Sequence, residues 1–385
     1  MDFQLTQDQK MLQEAVQQFV AGEYDFESRN KVLATPFGFS ERIWNGLAEQ
    51  GVLGIGLPEA YGGLGGPVEV MVVMEQLGAG LVLEPFLSTV VLGGGLIARR
   101  GSSEQQAQIL PRMVEGQCRV ALAHHEAGAR YALDYVNTVA RERDGAYVLS
   151  GKKTVVLDGA TANLLIVSAR DETATSSSAS SGARTPLSLF LVDPTTPGVR
   201  IVPYRTQDGR NAADIELNDV SVAKDRLIAG GHEALEEAID HAIAALCAEA
   251  VGIMEALNAA TLEYLKTRVQ FGQPIGRSQV LQHRMADMFM MAVQARSMSI
   301  LATGRCAANA ERAQRRHDLS AAKAYIGKAG RFVGQQAVQL HGGMGMSAEL
   351  IVSHYFKRLT MIGVTFGDVD HHVGVISDQI LAESA

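Results

Sequence analysis

Cysteine is scarce in this chain of 385 residues, and its three cysteines, Cys118, Cys247 and Cys306, lie far apart. Widely spaced thiols in an odd number provide neither a disulfide framework nor the closely spaced ligands of a zinc site. The scarcity therefore excludes a disulfide scaffold, and it favours a reducing compartment such as the cytoplasm.

Excess positive charge and long apolar runs are also missing. The 34 Lys and Arg residues are outnumbered by 42 Asp and Glu residues, so the net charge is −8. Because no basic face is indicated, we expect no nucleic-acid and no anionic-membrane partner. No uninterrupted apolar run approaches the ~20 residues that cross a bilayer. The polar first ten residues resemble neither a signal peptide nor a transit peptide.

Hydrophobic periodicity divides the chain into three regions, for which we expect domains at residues 1–117, 118–228 and 229–385. The first has helical periodicity, with Thr6 as a candidate N-cap and a Gly-rich loop at residues 54–66. The second alternates with period two, and Asp144-Gly145 predicts a hairpin. The third is helical and long enough for a four-helix bundle. The fold class is mainly α with a central antiparallel β domain.

Two segments are assigned no binding role. Met285, Met288, Phe289 and Ala292 follow helical spacing, which predicts a buried core stripe rather than a cofactor site. Residues 171–185 are rich in Ser, Ala and Thr, which is typical of a mobile surface loop.

The nonapeptide "RVQFGQPIG" at residues 268–276 interrupts the C-terminal helical pattern. With "QLHGGMGM", "GVLGIGLPEAYGGLGG" and the helix–β–helix layout, it resembles the acyl-CoA dehydrogenase family. That resemblance covers nearly the whole chain. It implies a flavoprotein that oxidises the Cα–Cβ bond of an acyl-CoA thioester, with FAD whose adenosine and pyrophosphate half rests against a neighbouring subunit.

The resemblance also implies the residues that reach the neighbour's FAD. Arg268 would face the pyrophosphate, since a permanently charged fork suits phosphate oxygens, and the helix would break at Phe271 to Gly276 to make this reach possible. Glycines in the second element would let the backbone approach closely. The implied cofactor-binding residues are Arg268, Gln270, Phe271, Gln339, Gly342 and Gly343.

The carboxylate base of the family is missing at both positions where relatives carry it. Aligning Gly367 with the glycine of a Y-E-G-T type motif places Phe366 at the first position. Aligning Gly252 on the preceding helix places Ala242 at the second. Neither side chain can remove a proton, so the catalytic residues of this chain remain unassigned.

The stretch that relatives place against the flavin ring departs from the family pattern as well. Val155 stands for the tryptophan and Leu157 for the threonine of a W-I-T-N-G strand, and neither offers a side-chain hydrogen bond. His124 and His125 occupy the preceding turn, where polar strand or loop residues and flavin contacts are both possible.

This pattern resembles the small subunits of heteromeric bacterial enzymes, such as pimeloyl-CoA and steroid side-chain dehydrogenases. The implied partners are an acyl-CoA, a large catalytic subunit in an α2β2 assembly, and electron-transfer flavoprotein as acceptor. One alternative is a self-sufficient homotetramer that uses Glu249 or Asp368 as base. Another is a flavin-free protein that binds acyl-CoA or a protein partner.

The acidic and histidine side chains near the C-terminus have structural interpretations too. Glu249 lies in an apolar run, where a carboxylate needs a partner or a raised pKa. Asp368 is a candidate cap for the last helix. His371 and His372 are adjacent on that helix and point about 100° apart, so we expect no metal site.

Overall fold

The computed structural model describes residues 4–172, 186–308 and 310–383. Along the chain, a helical N-terminal domain is followed by a central β domain and a C-terminal helical domain, which confirms the predicted fold class. Of the predicted Ser/Ala/Thr-rich loop, residues 173–185 lie outside the described residues.

The helices begin and end as follows. They are α1 (Gln7–Glu23), α2 (Phe26–Leu33), α3 (Glu41–Glu49), α4 (Pro67–Ala79), α5 (Gly95–Arg100), α6 (Ser103–Val114), α7 (Gly231–Thr267), α8 (Gln279–Ala307), α9 (Arg312–His341), α10 (Ile351–Val364) and α11 (Val369–Glu383). A buried π-helical segment, Leu87–Gly94, directly precedes α5. In the C-terminal domain, α11 follows the four helices that the sequence predicts.

The strands are short except for β3 and β7. They are β1 (Val120–Ala123), β2 (Val139–Arg143), β3 (Ala146–Leu157), β4 (Leu164–Asp171), β5 (Leu187–Val192), β6 (Val199–Arg205), β7 (Asn211–Ala223), β8 (Leu227–Ile228), β9 (Val269–Gln270) and β10 (Gln273–Pro274).

The chain forms two compact units that differ from the three regions of the sequence pattern. One unit contains the residues up to Lys31, Pro67–Val82 and the chain from Ile243 onward. The other contains Val32–Gly66 and Leu83–Ala242. The first is helical, and the second holds the main sheet.

The main sheet has the strand order β6-β7-β3-β2-β4-β5-β8, and β1 pairs with β4. Asp144 and Gly145, with φ of 52° and 82°, form the tight turn between β2 and β3, which confirms the predicted hairpin. The antiparallel expectation needs one correction, because β1 and β2 both run parallel to β4. An apolar core that includes Leu149, Phe190 and Ile215 packs on the sheet.

Helix α1 begins at the predicted cap in the helical unit. The Thr6 hydroxyl accepts the Gln9 N–H at 3.2 Å, and the Gln9 side chain accepts the Thr6 N–H at 2.9 Å. These reciprocal bonds form a capping box.

Two glycines let helices α4 and α7 approach closely in the same unit. A Cβ at Gly252 would lie 1.9 Å from the Glu75 carbonyl oxygen, and one at Gly78 would lie 2.3 Å from that of Glu249. Such separations are far inside van der Waals contact, so any larger residue would push these helices apart.

The predicted methionine stripe on α8 is only partly buried. Met288 and Ala292 are buried, and Met285 is half-buried. Phe289 is 64% exposed, so its predicted burial is wrong. The buried stripe continues from Met288 and Ala292 through Ala295 and Ser299, which leaves Phe289 about 100° around the helix from Met288.

Helix α7 is the part of the described chain that comes nearest to the composition of a membrane-spanning helix. It contains a window long and apolar enough to cross a membrane, with a mean hydropathy of 1.5. Of that window, 78% is buried inside the protein. A helix that is apolar on all sides and buried is a core helix, which accounts for the composition of α7.

Candidate functional site

The segment that interrupts the helical pattern folds as a small hairpin. Helix α7 ends at Thr267, so the break comes three residues before the predicted start at Phe271. Strands β9 and β10 pair antiparallel, with Gln273 opposite Gln270. The turn between them needs positive φ at Phe271 (51°) and Gly272 (77°). The Ile275 N–H then donates to the Arg268 carbonyl at 2.9 Å, which closes the hairpin.

The hairpin presents its predicted binding side chains to solvent. Phe271 is fully exposed, at 102% relative accessibility. Arg268 and Gln270 are exposed as well, and the Gln270 amide donates only to the Val269 carbonyl, at 2.8 Å. Among the described residues, no carboxylate pairs with the Arg268 guanidinium. An exposed aromatic ring beside an unpaired guanidinium is a surface suited to a stacked base and a phosphate.

The second predicted element lies at the end of α9. Gln339 is exposed in its last turn, and Gly342 adopts φ 63° and ψ −145°, a conformation that essentially requires glycine. A Cβ at Gly343 would meet nothing within 4 Å. The chain's own packing therefore does not require glycine at that position, and the backbone there is open to an external ligand.

Tyr264 and His341 bring the two elements together. Their rings stack with centroids 4.3 Å apart and an interplanar angle of 26°. Tyr264 lies one turn before Arg268, whose N–H donates to the Tyr264 carbonyl at 2.8 Å. His341 directly precedes Gly342. The predicted residues of both elements thus share one end of the helical unit.

A cavity of about 460 Å³ lies behind the hairpin. Its lining includes three apolar side chains of α7 and α8, Leu262, Leu265 and Met285, and two charged residues, Lys266 and Arg277. The lining residues are Leu262, Leu265, Lys266, Pro274, Gly276, Arg277, Gln282 and Met285.

Neither position of the family base carries a carboxylate, since the two positions hold Ala242 and Phe366. Ala242 is fully buried in α7. Phe366 is half-buried in a turn with φ 58°, followed by Gly367 with φ 121°. Positive φ at a bulky residue is uncommon, so the turn must be held by its surroundings.

Two buried side chains hold this turn. The Lys323 ammonium donates to the Gly367 carbonyl at 2.8 Å, and His372 Nε2 donates to the Phe366 carbonyl at 3.1 Å. Burial lowers the pKa of Lys323 to about 8. Burial and the nearby Lys323 charge lower the pKa of His372 to about 3, so the imidazole is neutral near pH 7. Its Nδ1 then accepts from the Ser320 hydroxyl at 3.2 Å.

The two candidate substitute bases both make structural contacts. Glu249 is 1% exposed and forms a bidentate ion pair with Arg358, with both N–O distances 2.6 Å. Asp368 accepts the N–H of His371 at 2.9 Å and caps α11. These contacts agree with the structural interpretation of both residues.

The turn around Val155 in β3 offers little to a flavin ring. Val155 has φ 52° and is 43% exposed. Its N–H already donates to the Tyr204 hydroxyl at 3.0 Å. Tyr204 in turn donates to Asp214 at 3.0 Å. With an apolar side chain and a satisfied N–H, Val155 has no spare hydrogen-bond donor for a ligand.

His124 and His125 belong to a polar network inside the β domain. His124 Nδ1 lies 2.9 Å from the Ser168 hydroxyl, and burial followed by repulsion from Lys153 lowers the pKa of His124 to about 3. His125 Nδ1 lies 3.0 Å from the Thr154 hydroxyl. Both imidazole rings therefore have hydrogen-bond partners within the β domain.

Lys153 and Glu126 form an ion pair that the sequence analysis missed. Lys153 is 0% exposed and donates to Glu126 at 2.7 Å and to Ser168 at 3.0 Å. Burial lowers the pKa of Lys153 to about 8. Burial opposes ionisation of Glu126, but the Lys153 charge and the Thr138 hydrogen bonds hold its pKa below the usual range. The available signal was a lysine in the inward phase of an alternating strand.

His371 and His372 do not converge on a common point. Their rings meet edge to face, at an interplanar angle of 77°. Within residues 4–172, 186–308 and 310–383, no group of three His, Cys, Asp or Glu residues has metal-binding geometry.

The hairpin and the glycine turn lie together on a helix–β–helix fold. Three domain profiles cover most of the chain: the acyl-CoA dehydrogenase N-terminal domain matches residues 6–117, the middle domain 121–220 and the C-terminal domain 229–381. The chain belongs to the acyl-CoA dehydrogenase family. It is accordingly an FAD-dependent oxidoreductase of the class that acts on the CH–CH group of acyl-CoA.

Relatives and solved structures match over nearly the full length. Acryloyl-CoA reductase (NADH) of Anaerotignum propionicum is 28% identical, over 99% of this chain and 96% of that protein. The ChsE4-ChsE5 complex from Mycobacterium tuberculosis contains a chain that is 26% identical, with a TM-score of 0.89 and 99% coverage of both chains. The Tcur3481-Tcur3483 steroid ACAD, as a G363A variant, contains one that is 28% identical, with a TM-score of 0.87 and 98% coverage of both.

The residues at the predicted positions suit the dinucleotide half of FAD but not the flavin ring. The unpaired Arg268 guanidinium and the open backbone at Gly343 suit the dinucleotide half. Val155 and Leu157 lack side-chain donors for the flavin ring. FAD supplies the hydride acceptor of the family's reaction when it is bound.

Proposed function

We propose that this chain is the small subunit of a heteromeric acyl-CoA dehydrogenase, in which a homologous large subunit carries the catalytic base. The observation that carries this proposal is that Glu249 is held in a buried ion pair with Arg358. Both oxygens of a carboxylate in such a pair accept from the guanidinium, so neither is left to take a proton from a substrate. Asp368 is similarly engaged, as a helix cap.

The chain's contribution is to complete the partner's FAD site and the tetramer. Arg268, Gln270 and Phe271 on the hairpin would reach the adenosine and pyrophosphate of an FAD whose ring is held in the partner subunit. Gln339, Gly342 and Gly343 would form the second element that approaches the same dinucleotide. The exposure of the hairpin supports this role, because none of the described residues covers the Phe271 ring. The names of two matched structures each join two proteins, ChsE4-ChsE5 and Tcur3481-Tcur3483, which agrees with a two-component assembly.

The reaction would be Cα–Cβ oxidation of an acyl-CoA in fatty-acid or steroid degradation. Electron-transfer flavoprotein would accept the electrons. Three buried, unbridged cysteines agree with a cytoplasmic setting.

The test compares the purified chain with the complex formed on co-expression with the product of the adjacent gene. Native mass, flavin content and acyl-CoA dehydrogenation with an artificial electron acceptor are measured for both. We expect negligible turnover by the chain alone, since loss of a positioned base forfeits roughly 10²- to 10⁴-fold in rate, and turnover by the complex.

Variants Glu249→Gln and Asp368→Asn then locate the base. Both keep shape and remove the carboxylate, and we expect the complex to retain most of its turnover. The proposal is wrong if the chain alone turns over at an ordinary rate and either variant abolishes turnover while remaining folded, because the enzyme would then be a self-sufficient homotetramer. A chain that binds no flavin and forms no complex would instead be a flavin-free binding protein.

A further inference from the structure

Tyr264 and His341 form an aromatic contact between the last turns of two long helices. The ring centroids are 4.3 Å apart, which is at the short end of the range for stacked aromatic pairs. The Tyr264 hydroxyl also lies 3.4 Å from the His341 carbonyl oxygen. That distance is long for an O–H···O bond, so ring stacking is the main interaction of the pair.

The His341 ring is held in one orientation. Its Nδ1 donates to the Ala337 carbonyl at 2.8 Å, and the residue is 5% exposed. Burial lowers its pKa, so the ring is neutral at pH 7. Tyr264 therefore stacks on a ring that is fixed by its own helix.

The stacked pair opposes an electrostatic cost. Helices α7 and α9 both end at this site, and the partial negative charge at each C-terminus makes their close approach unfavourable. The same field would repel a pyrophosphate, which makes the Arg268 charge necessary there. Interactions other than the helix ends themselves must therefore keep the two elements adjacent.

Each member of the pair is linked directly to one of the predicted FAD elements. The Tyr264 carbonyl accepts the Arg268 N–H at 2.8 Å, at the base of the hairpin. His341 is followed by Gly342, whose N–H donates to the Gln339 carbonyl. The stacked rings therefore connect the backbone segment that carries the hairpin to the one that carries the glycine turn.

We propose that Tyr264 and His341 are positioning residues, whose stack holds the Arg268 hairpin and the Gly342–Gly343 turn at the separation that one dinucleotide spans. This inference rests on the proposed function. Neither residue needs to touch FAD, because both act through the backbone segments that they support.

Hydrogen exchange on the purified chain tests the structural part. In Tyr264→Leu, amides at residues 268–276 and 342–346 should lose protection together, whereas Tyr264→Phe, which keeps the ring, should match the wild type. A change in one segment alone, or in neither, would overturn the proposal. If Tyr264→Leu does not fold, the wild-type chain still decides the question, because unequal opening rates for the two segments would refute coupling.

Titration of the flavin-stripped complex with FAD tests the functional part. Tyr264→Leu and His341→Leu should each weaken FAD binding by about twofold to tenfold, the range that one aromatic pair contributes. The double variant should be no weaker than the worse single variant. Additive losses would show that the residues act independently, and the proposal would fail.

Arg268→Ala separates this inference from the function on which it rests. If Arg268→Ala leaves FAD binding unchanged, the proposed role of the hairpin is wrong. If Arg268→Ala weakens binding and the Tyr264 and His341 variants do not, only the positioning role is wrong.

Discussion

The Glu249 carboxylate and the Arg358 guanidinium form two parallel hydrogen bonds, each 2.6 Å long, inside the helical unit. The pair joins α7 to α10, with 1% of the Glu249 side chain and 8% of the Arg358 side chain exposed. Bidentate geometry satisfies both carboxylate oxygens and orients the guanidinium plane. Glu249, an acidic residue in an apolar run, therefore has a structural role.

Glu249→Gln should destabilise the chain because it leaves a buried guanidinium without its counter-charge. We expect a loss of about 3 to 5 kcal/mol in the free energy of unfolding, measured by urea denaturation. The matched control is Glu255→Gln, since Glu255 is 48% exposed where it pairs with Arg296, and exposed pairs contribute up to about 1 kcal/mol. Equal losses in the two variants would contradict this assignment.

Arg268→Ala should lower flavin occupancy in the assembled complex without changing helix content. One charge-assisted hydrogen bond contributes about 1.5 to 3 kcal/mol, which corresponds to a roughly 10- to 100-fold weaker FAD affinity. Arg268→Lys should lose less, since it keeps the charge but not the planar fork. Arg331→Ala removes another exposed arginine, on α9, and should leave occupancy unchanged. A loss of occupancy in this control would point to net charge rather than to a specific contact.

Two glycines should respond oppositely to alanine. At Gly343 a methyl group meets nothing within 4 Å, so Gly343→Ala should fold normally and bind FAD more weakly in the complex. At Gly252 a methyl group would lie 1.9 Å from the Glu75 carbonyl oxygen, so Gly252→Ala should lower the melting temperature. Thermal denaturation and flavin content distinguish these outcomes. Normal FAD binding by Gly343→Ala would remove that residue from the site.

Local signals in the sequence predicted much of the fold. The Thr6 cap and the Asp144-Gly145 turn depend on a few adjacent residues, and both are present. The interruption at residues 268–276 was also predicted. Its hairpin form was not, because pairing of two-residue strands depends on the positive φ of Phe271 and leaves no periodic signal.

Contacts between distant residues could not be predicted from periodicity. Lys153 meets Glu126 across 27 positions, and Tyr264 meets His341 across 77. Phe289 fits the apolar spacing of α8 but is exposed. Apolar spacing locates the buried face of a helix only to within about one residue. These outcomes depend on how helices and strands pack, which is a tertiary property.

Acid should destabilise the chain through His372, whose folded-state pKa of about 3 lies below the ordinary value of 6.5. Between these values the unfolded chain binds the proton and the folded chain does not, so the free energy of unfolding falls as pH decreases from about 6.5 toward 3. His372→Gln removes this titration and should make that dependence shallower, measured by urea denaturation at several pH values. His283, an exposed histidine on α8, provides the control variant His283→Gln, which should keep the wild-type slope. Should His372→Gln show the wild-type slope as well, protonation of His372 would not be the cause. His124, also with a pKa of about 3, would then be the next histidine to replace, because it is buried in the same way.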